Sequence, residues 1–256
     1  MPCCLVGSEM CIRDRYNADN MPIDLIISPE LEVARSIIRQ LNAPDAFEIV
    51  PFYSDKIELT GIVIDENCPL VDTELRNIHE IFQDEDNIKK NLRVSIISIL
   101  RNDKLFIPGK SEKLLLNDKV YLLIDKSHVD RTMAAFGLEE KPISKLLIIG
   151  GGNIGFNIAK ELEENKSNIA VTIIEQNLDR SSKIADNLNN TLVLNGDGLD
   201  QDLLDEANIS STDMILALTD DDETNIIVSA ISKKNDCKSL ILINNSDYNN
   251  IKDVLG

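Results

Sequence analysis

Tryptophan is absent from the sequence, and aromatic residues make up only 4% of it, whereas apolar residues as a group make up 43%. A core must therefore be filled mainly by Ile, Leu and Val. Such aliphatic interiors are typical of parallel sheets that are covered on both faces. The 256 residues are enough for two domains of ordinary size.

Clusters of basic residues are also missing. Lys and Arg number 26 against 44 Asp and Glu, so the formal net charge is −18. Nucleic acid and anionic lipid are bound through clustered Lys and Arg, and we expect neither as a direct partner. No apolar run reaches the about 18 residues that a membrane-spanning helix needs, so a soluble protein is expected.

The five cysteines have no spacing typical of zinc ligands, and no metal site is predicted. Their pattern favours a reducing, cytoplasmic compartment. Three of them lie within residues 1–22, whose opening, MPCCLVGSEMCIRDR, is too short and too interrupted by charge for a signal peptide. We interpret residues 1–22 as an extraneous segment, such as a sequencing or cloning remnant; a natural disordered tail is the alternative.

Residues 23–137 contain two pieces of different character. Residues 23–50 predict a strand and then a helix that starts at Ser28 and Pro29, because Ser caps helices and Pro fits their first position. One strand and one helix cannot bury their own apolar faces, so this piece is expected to be the end of a larger unit. Residues 51–137 predict short strands, turns and little helix, which indicates a small α+β module.

From residue 145 onward, strands and helices alternate. The apolar segments KLLIIG, AVTIIE, TLVLNG, MILALT and SLILIN read as five strands with helices between them. This pattern predicts an α/β domain over residues 145–256, with a Rossmann-like, doubly wound parallel sheet.

A glycine-rich loop follows the first of these strands. Gly150, Gly152 and Gly155 form G-x-G-x-x-G between a strand and a helix. The first glycine permits a tight turn, the second lets a pyrophosphate approach, and the third lets helix and strand pack closely. Glu175, at the end of the second strand, is expected to bind ribose hydroxyls and to favour NAD(H) or adenine nucleotides over NADP(H). A glycine turn with an unrelated glutamate is the alternative.

Further candidate contacts lie at the other strand ends. We expect Asp197 to accept from an adenine amino group, although loop and cap chemistry is the alternative for Asp197, Thr219 and Asp220. Arg180 is either a phosphate ligand or an ordinary surface residue. The acidic run from Asp220 to Glu223 is interpreted as a solvated helix start rather than a cation site. The predicted binding residues are Gly150, Gly151, Gly152, Asn153, Ile154, Gly155, Glu175, Arg180, Gly196, Asp197, Thr219 and Asp220.

No catalytic group is recognisable beside this predicted cleft. Both histidines, His79 and His128, lie in polar segments and are expected at the surface. A nicotinamide enzyme needs a proton donor or acceptor near its substrate, so a binding protein is favoured over an enzyme. A NAD-dependent oxidoreductase is the alternative, and a structural domain with a relic loop is a third hypothesis.

Five segments in this order resemble the TrkA family, the NAD-binding regulatory subunits of Trk potassium uptake, which are built from RCK (KTN) domains. The resemblance covers about residues 22–256, and Asn117 stands where the family often has Gly. Asn tolerates a positive φ, so the turn is expected to survive. The segments are PLVDTELRNI, IIGGGNIGFNIAKELE, VTIIEQNLDR, NTLVLNGDGLDQDLLDEANI and DMILALTDDDETNII.

The resemblance implies a division into parts of two RCK units. Residues 23–50 would end a first nucleotide-binding domain, residues 51–137 would be its C-type module, and residues 145–256 would be most of a second N-type domain. A weak repeat between the segments that begin at Leu25 and Leu242 is consistent with two copies, and chance similarity is the alternative. The chain is then expected to be a fragment.

The resemblance also implies ligands and partners. It implies a cytoplasmic, non-enzymatic subunit at the inner face of the cell membrane, which binds NAD(H); ATP or ADP is the alternative ligand. The expected partners are a TrkH-like membrane potassium transporter and further copies of the same chain.

Overall fold

The computed structural model describes residues 28–43, 45–53, 56–82, 93–138, 143–165 and 168–245. The chain divides into two compact units between Ile37 and Ile38 and again between Pro142 and Ile143. The N-terminal segment and the strand expected before Ser28 lie outside the described residues. None of the described helices is both long and apolar enough to cross a membrane.

Helix α1 spans Pro29–Asn42, which confirms the helix start predicted from Ser28 and Pro29. The carbonyl of Ser28 accepts a hydrogen bond from the N–H of Glu32 at 3.1 Å and so opens the helical ladder. Ala34, Ile37 and Leu41 are buried, at the three- and four-residue spacing of an amphipathic helix.

The unit between Ile38 and Pro142 is built on an antiparallel sheet in the order β1-β2-β5-β3-β4. Helices α2 (Leu75–Phe82) and α3 (Val129–Ala135) complete it, and this arrangement confirms the predicted α+β module. The sheet starts before residue 51, where the module was expected to begin. Its strands are β1 (Ala46–Phe52), β2 (Ile57–Val63), β3 (Val94–Arg101), β4 (Lys104–Phe106) and β5 (Lys119–Asp125).

One face of this sheet forms the core of the module. Val120, Leu122 and Ile124 alternate along β5 and are fully buried, as in a strand with a single covered face. They cluster with Phe82 at the end of α2 and with Phe136 just after α3. The two rings lie 5.8 Å apart between centroids.

Asparagine and aspartate occupy several tight turns of the module, although Tyr53 has a φ of 50° after β1. Asn102 and Asp103, between β3 and β4, have φ of 50° and 60°. Asn117 has φ of 66°, as its tolerance of this region predicted.

The second unit contains a parallel sheet in the order β10-β9-β6-β7-β8. The five strands and the doubly wound class predicted from the sequence are confirmed. The strands are β6 (Lys145–Ile149), β7 (Ala170–Glu175), β8 (Leu192–Asn195), β9 (Met214–Ala217) and β10 (Lys238–Ile241). The connecting helices are α4 (Asn153–Glu164), α5 (Leu178–Asn187), α6 (Gln201–Glu206) and α7 (Asp222–Lys234).

The strand order locates the crevice of this unit. From β6 the chain continues to β7 and β8 on one side, and then returns to β9 and β10 on the other side. The direction of winding therefore reverses between β6 and β9. In open parallel sheets, ligands bind at the carboxyl ends of the strands beside such a reversal.

Candidate functional site

The glycine-rich loop joins β6 to α4. Gly150 has φ of +102°, which only glycine adopts readily, and an added Cβ would lie 2.9 Å from the Leu218 carbonyl carbon. An added Cβ at Gly155 would lie 2.3 Å from the Gly150 carbonyl oxygen, so no side chain fits where α4 meets β6. At Gly152 an added Cβ would meet nothing within 4 Å. The middle glycine of the motif therefore faces open space.

Helix α4 begins at this open position. Gly152 is its N-cap residue and supplies no side chain to bond the first helical N–H groups. The first N–H groups of a helix have no partner within the helix, and its N-terminus carries a partial positive charge. A phosphate placed above Gly152 would meet both features, which is the usual geometry of nucleotide phosphates on this fold.

Glu175 ends β7 beside the loop. Its Oε2 accepts the N–H of Gly151 at 2.8 Å, and its Oε1 accepts the N–H of Asn177 at 2.8 Å. The carboxylate therefore joins the glycine-rich loop to the turn that precedes α5. The sequence placed this acid at the crevice but did not indicate its bond to the loop.

Arg180 lies in the first turn of α5 and also contacts the loop. Its Nε donates to the Gly151 carbonyl at 2.7 Å, and its Nη2 donates to Oδ1 of Asn153 at 3.1 Å. The guanidinium therefore lies against the glycine loop, next to the first residue of α4. A positive charge at this place complements an anion bound by the same loop.

The ends of β8 and β9 complete the edge of the crevice. Asp197 follows β8, and its Oδ1 accepts the N–H of Leu199 at 2.9 Å, as in an Asx turn. Thr219 follows β9, and its N–H and hydroxyl both donate to Oδ1 of Asn225, at 3.1 and 2.7 Å. The polar groups of Thr219 are thus engaged within the protein, while Asp220 beside it is exposed.

These elements surround one cleft with a volume of about 990 Å³. Its size is at the upper end of the range of small-molecule sites. Every predicted binding residue except Gly155 lines it, and Gly155 lies beneath it in the contact of α4 with Gly150. The lining residues from the prediction are Gly150, Gly151, Gly152, Asn153, Ile154, Glu175, Arg180, Gly196, Asp197, Thr219 and Asp220.

Sequence reasoning missed several polar residues at the cleft. Asn177, Lys183 and Thr224 line it, and Asn225 lies fully buried behind Thr219. The position of Asn225 could have indicated its role, because it shares the buried face of α7 with Val228. A polar side chain on the buried face of a helix is expected to have specific hydrogen-bond partners.

The acidic run at the start of α7 has the bonds of a helix start, but it is not solvated throughout as expected, because Asp222 is buried. Asp221 is the N-cap and accepts the N–H of Thr224 at 3.0 Å. Hydrogen bonds, first of all from the Thr224 hydroxyl, lower the pKa of Asp221. Among the described residues, no group of three or more His, Cys, Asp or Glu is placed to hold a metal ion.

His128 lies in the other unit, between β5 and α3. It lies at the surface and is partly buried, and its Nδ1 accepts the N–H of Arg93 at 2.9 Å. The side chain of His79 lies outside the described residues.

Comparisons with known proteins match the same two parts of the chain. The TrkA-C domain model matches residues 59–137, and the TrkA-N domain model matches residues 146–256. The chain is 35% identical over 237 residues to the Trk system potassium uptake protein TrkA of Azorhizobium caulinodans. This match covers 92% of this chain and 50% of the relative. It is 32% identical over 228 residues to the protein of the same name from Vibrio alginolyticus, with coverage of 89% and 48%. The chain thus spans about half the length of these curated relatives.

Solved structures with the same fold include two from one channel. The GsuK RCK domain superposes with a TM-score of 0.56 at 17% identity, over 89% of this chain and 47% of that chain. The GsuK channel bound to NAD gives a TM-score of 0.55 at 17% identity, over 89% and 39%. At this identity the likeness extends to the fold alone. The domain matches and the curated relatives agree in content and order, and the chain belongs to the TrkA family, with a TrkA-C domain followed by a TrkA-N domain.

Proposed function

We propose that this chain is part of a regulatory subunit of a potassium-uptake system, which binds NAD(H) or an adenine nucleotide and gates a membrane potassium transporter. One observation carries the nucleotide part of the proposal. The open backbone at Gly152 lies at the start of α4 and faces a cleft of about 990 Å³. A pyrophosphate requires both the missing side chain and the helix N-terminus at this place.

The other cleft residues have roles that follow from their positions. Gly150 and Gly155 shape the loop, and Arg180 supplies positive charge beside the pyrophosphate. Glu175 accepts from the adenosine ribose while it retains its bond to Gly151. Gly196 and Asp197 border the adenine, and Thr219 and Asp220 border the opposite end of the ligand. The nucleotide acts here as an effector, and ATP or ADP would use the same phosphate and ribose contacts.

The transporter part of the proposal is supported by the relatives. The similar proteins of Azorhizobium caulinodans and Vibrio alginolyticus are named Trk system potassium uptake proteins, and GsuK is a channel with an RCK domain. We propose the cytoplasmic face of a TrkH-like transporter as the partner, and a homo-oligomer as the working form. Nucleotide then controls the potassium flux only if its affinity differs between two arrangements of the domains.

The proposed organisation places the segment from residue 23 up to the start of β1 at Ala46 at the end of a first nucleotide-binding domain. The C-type module then runs from β1 to residue 137, and residues 145–256 belong to a second nucleotide-binding domain. The TrkA-C match over residues 59–137 and the TrkA-N match over residues 146–256 support the last two parts.

Calorimetry with NAD, NADH, ATP and ADP tests the nucleotide part. Gly152→Asp is expected to abolish binding, because a side chain and a negative charge would occupy the pyrophosphate position. Gly109→Asp is the matched control, since an added Cβ at Gly109 also meets nothing within 4 Å but Gly109 lies in the α+β module. Unchanged nucleotide affinity in a folded Gly152→Asp variant would show that the loop does not belong to the nucleotide site.

Reconstitution tests the transporter part. A full-length version should co-purify with a potassium-transporting membrane protein, and nucleotide should change the flux through it. A potassium flux that is the same with and without the subunit and the nucleotide would contradict the proposal. Steady, substrate-dependent hydride transfer to a small metabolite would instead support the alternative function, a NAD-dependent oxidoreductase.

A further inference from the structure

The side chain of Asn225, in the first turn of α7, has no exposed surface. Its Oδ1 accepts from the N–H and the hydroxyl of Thr219, at 3.1 and 2.7 Å. Its Nδ2 donates to the carbonyl of Thr219 at 3.0 Å and to the carbonyl of Leu242 at 2.8 Å. A side-chain amide has two donors and two acceptor sites, and all four are in use here.

The two partners of this amide lie at the ends of neighbouring strands. Thr219 follows β9, Leu242 follows β10, and both line the cleft. The N–H of Leu242 donates to the Ala217 carbonyl at 2.9 Å, which extends the ladder between β10 and β9 by one residue. Asn225 then bridges from Leu242 to Thr219, so the two strand ends are held together beyond the last ladder bond.

A second side chain of the same helical turn holds the next residues. The Asp222 carboxylate is 8% exposed and accepts the N–H of Asn244 at 2.9 Å and that of Asn245 at 2.8 Å. Residues 242–245 are therefore attached to the first turn of α7 at both of their ends. Along the chain, these residues lead out of β10.

We infer that Asn225 is a positioning residue of the cleft, which couples occupancy at Thr219 to the geometry of residues 242–245. This inference rests on the proposed nucleotide function. Thr219 cannot shift relative to Leu242 without breaking a bond to a buried amide, and a broken bond leaves a buried polar group unpaired. A ligand that fixes Thr219 therefore also fixes the segment that leaves the sheet.

Asn225→Asp is the sharpest variant, because it keeps the shape of the side chain. It replaces the donor Nδ2 with an oxygen, which then faces the carbonyl oxygens of Thr219 and Leu242. Asn235→Asp is the matched control: Asn235 ends the same helix and donates to the Ile231 carbonyl at 2.9 Å. Asn225→Ala removes the bonds without adding charge and is the second variant.

Hydrogen exchange is measured first without nucleotide, in peptides that contain Thr219 and residues 242–245. Both peptides should exchange faster in Asn225→Asp and Asn225→Ala than in the wild type, while Asn235→Asp should leave them unchanged. Exchange equal to that of the wild type would show that Asn225 does not hold the two strand ends, and would overturn the inference. This comparison needs no bound ligand, so it stands even if the wild type binds neither NADH nor ATP, a result that would contradict the proposed function instead.

Saturating NADH is then added. In the wild type and in Asn235→Asp, NADH should slow exchange at residues 242–245 as well as at the glycine loop. In the Asn225 variants the loop should be protected and residues 242–245 should not, with affinity lowered about tenfold or more. Undiminished protection of residues 242–245 in these variants would overturn the coupling. So would failure of both Asn225 variants to fold while Asn235→Asp folds, because the residue would then serve the fold as a whole.

Discussion

The carboxylate of Glu175 accepts the backbone N–H of Gly151, with 2.8 Å between Oε2 and the amide nitrogen. The acid at the end of β7 thus holds the glycine-rich loop by a bond within the protein. A carboxylate has about four lone-pair sites, and two of them receive N–H groups here, so sites remain for ribose hydroxyls. One side chain can therefore both support the loop and make the proposed contact with the nucleotide.

Glu175→Ala should weaken NADH binding by roughly 1–3 kcal/mol, the cost of losing hydrogen bonds to a charged group. It should also narrow the preference for NADH over NADPH, because the repulsion between the carboxylate and a ribose phosphate is removed. Calorimetry with both nucleotides measures the two effects. Glu164→Ala is the control, since that side chain is 66% exposed and its ion pair with Lys160 is on the surface. A selectivity that stays the same would show that Glu175 does not contact the ribose.

The middle and last glycines of the motif, Gly152 and Gly155, should respond differently to the same substitution. Gly155→Ala places a methyl group 2.3 Å from the Gly150 carbonyl oxygen and should destabilise the fold by about 1–3 kcal/mol, as overpacking does. Gly152→Ala meets no atom within 4 Å and should cost less than about 1 kcal/mol, while weakening nucleotide binding. Denaturation and calorimetry on both variants separate these effects. Equal losses of stability would contradict the assigned roles.

The ion pair of Arg101 and Asp118 should stabilise the α+β module. Asp118 is 1% exposed, and its carboxylate accepts from Nε and Nη2 of Arg101, each at 2.7 Å. Arg101→Ala leaves this buried carboxylate without its cation and should cost about 3–5 kcal/mol, whereas removing both partners should cost less than that. Arg35→Ala is the control, because the pair of Arg35 with Glu32 is about half exposed and such pairs contribute at most about 1 kcal/mol.

Urea denaturation of the wild type, Arg101→Ala, the double variant Arg101→Ala/Asp118→Ala and Arg35→Ala measures these differences in the free energy of unfolding. If the double variant is as unstable as Arg101→Ala, the cost does not arise from an unpaired carboxylate.

Glu163 should make the stability of the unit that contains the parallel sheet depend on pH. It accepts from the N–H groups of Asn189 and Asn190, at 3.0 and 2.8 Å, and from the hydroxyl of Thr191 at 2.8 Å. Burial raises the pKa of Glu163, but these hydrogen bonds together outweigh it and lower the pKa below the ordinary value of 4.5. The stabilisation is therefore fully present above about pH 4.5 and is lost as the pH falls through the lowered pKa.

Glu163→Gln should remove this dependence, because an amide does not titrate in this pH range. It should also lower stability near neutral pH, because its NH2 group would face a backbone N–H donor. The difference in unfolding free energy between wild type and variant should be constant near neutral pH and should shrink in acid. Glu164→Gln, at the neighbouring exposed position, is the control. A difference that grows on acidification would contradict the assigned direction of the pKa.

Local patterns predicted most of the fold. The helix start at Ser28 and Pro29 depends on capping chemistry between adjacent residues. The five strands of the parallel sheet could be predicted because each is a short, mainly aliphatic run. The central strands β6 and β9 are buried along almost their whole length, whereas the edge strands β8 and β10 are only partly buried. The start of the module's sheet at Ala46 could not be predicted from the sequence, because β1 is half-exposed and is recognisable only from its pairing with β2.

The sequence by itself determined the glycine loop, the acid at the end of β7 and the alternation of strands and helices, because these features depend on residues close together in the chain. Only the tertiary structure decided which groups these residues contact. Glu175 reaches Gly151 across 24 positions, and Asn225 reaches Leu242 across 17. Such bonds form because parallel strands bring their carboxyl ends to one edge of the sheet, and spacing along the chain does not specify which side chain there will find which partner.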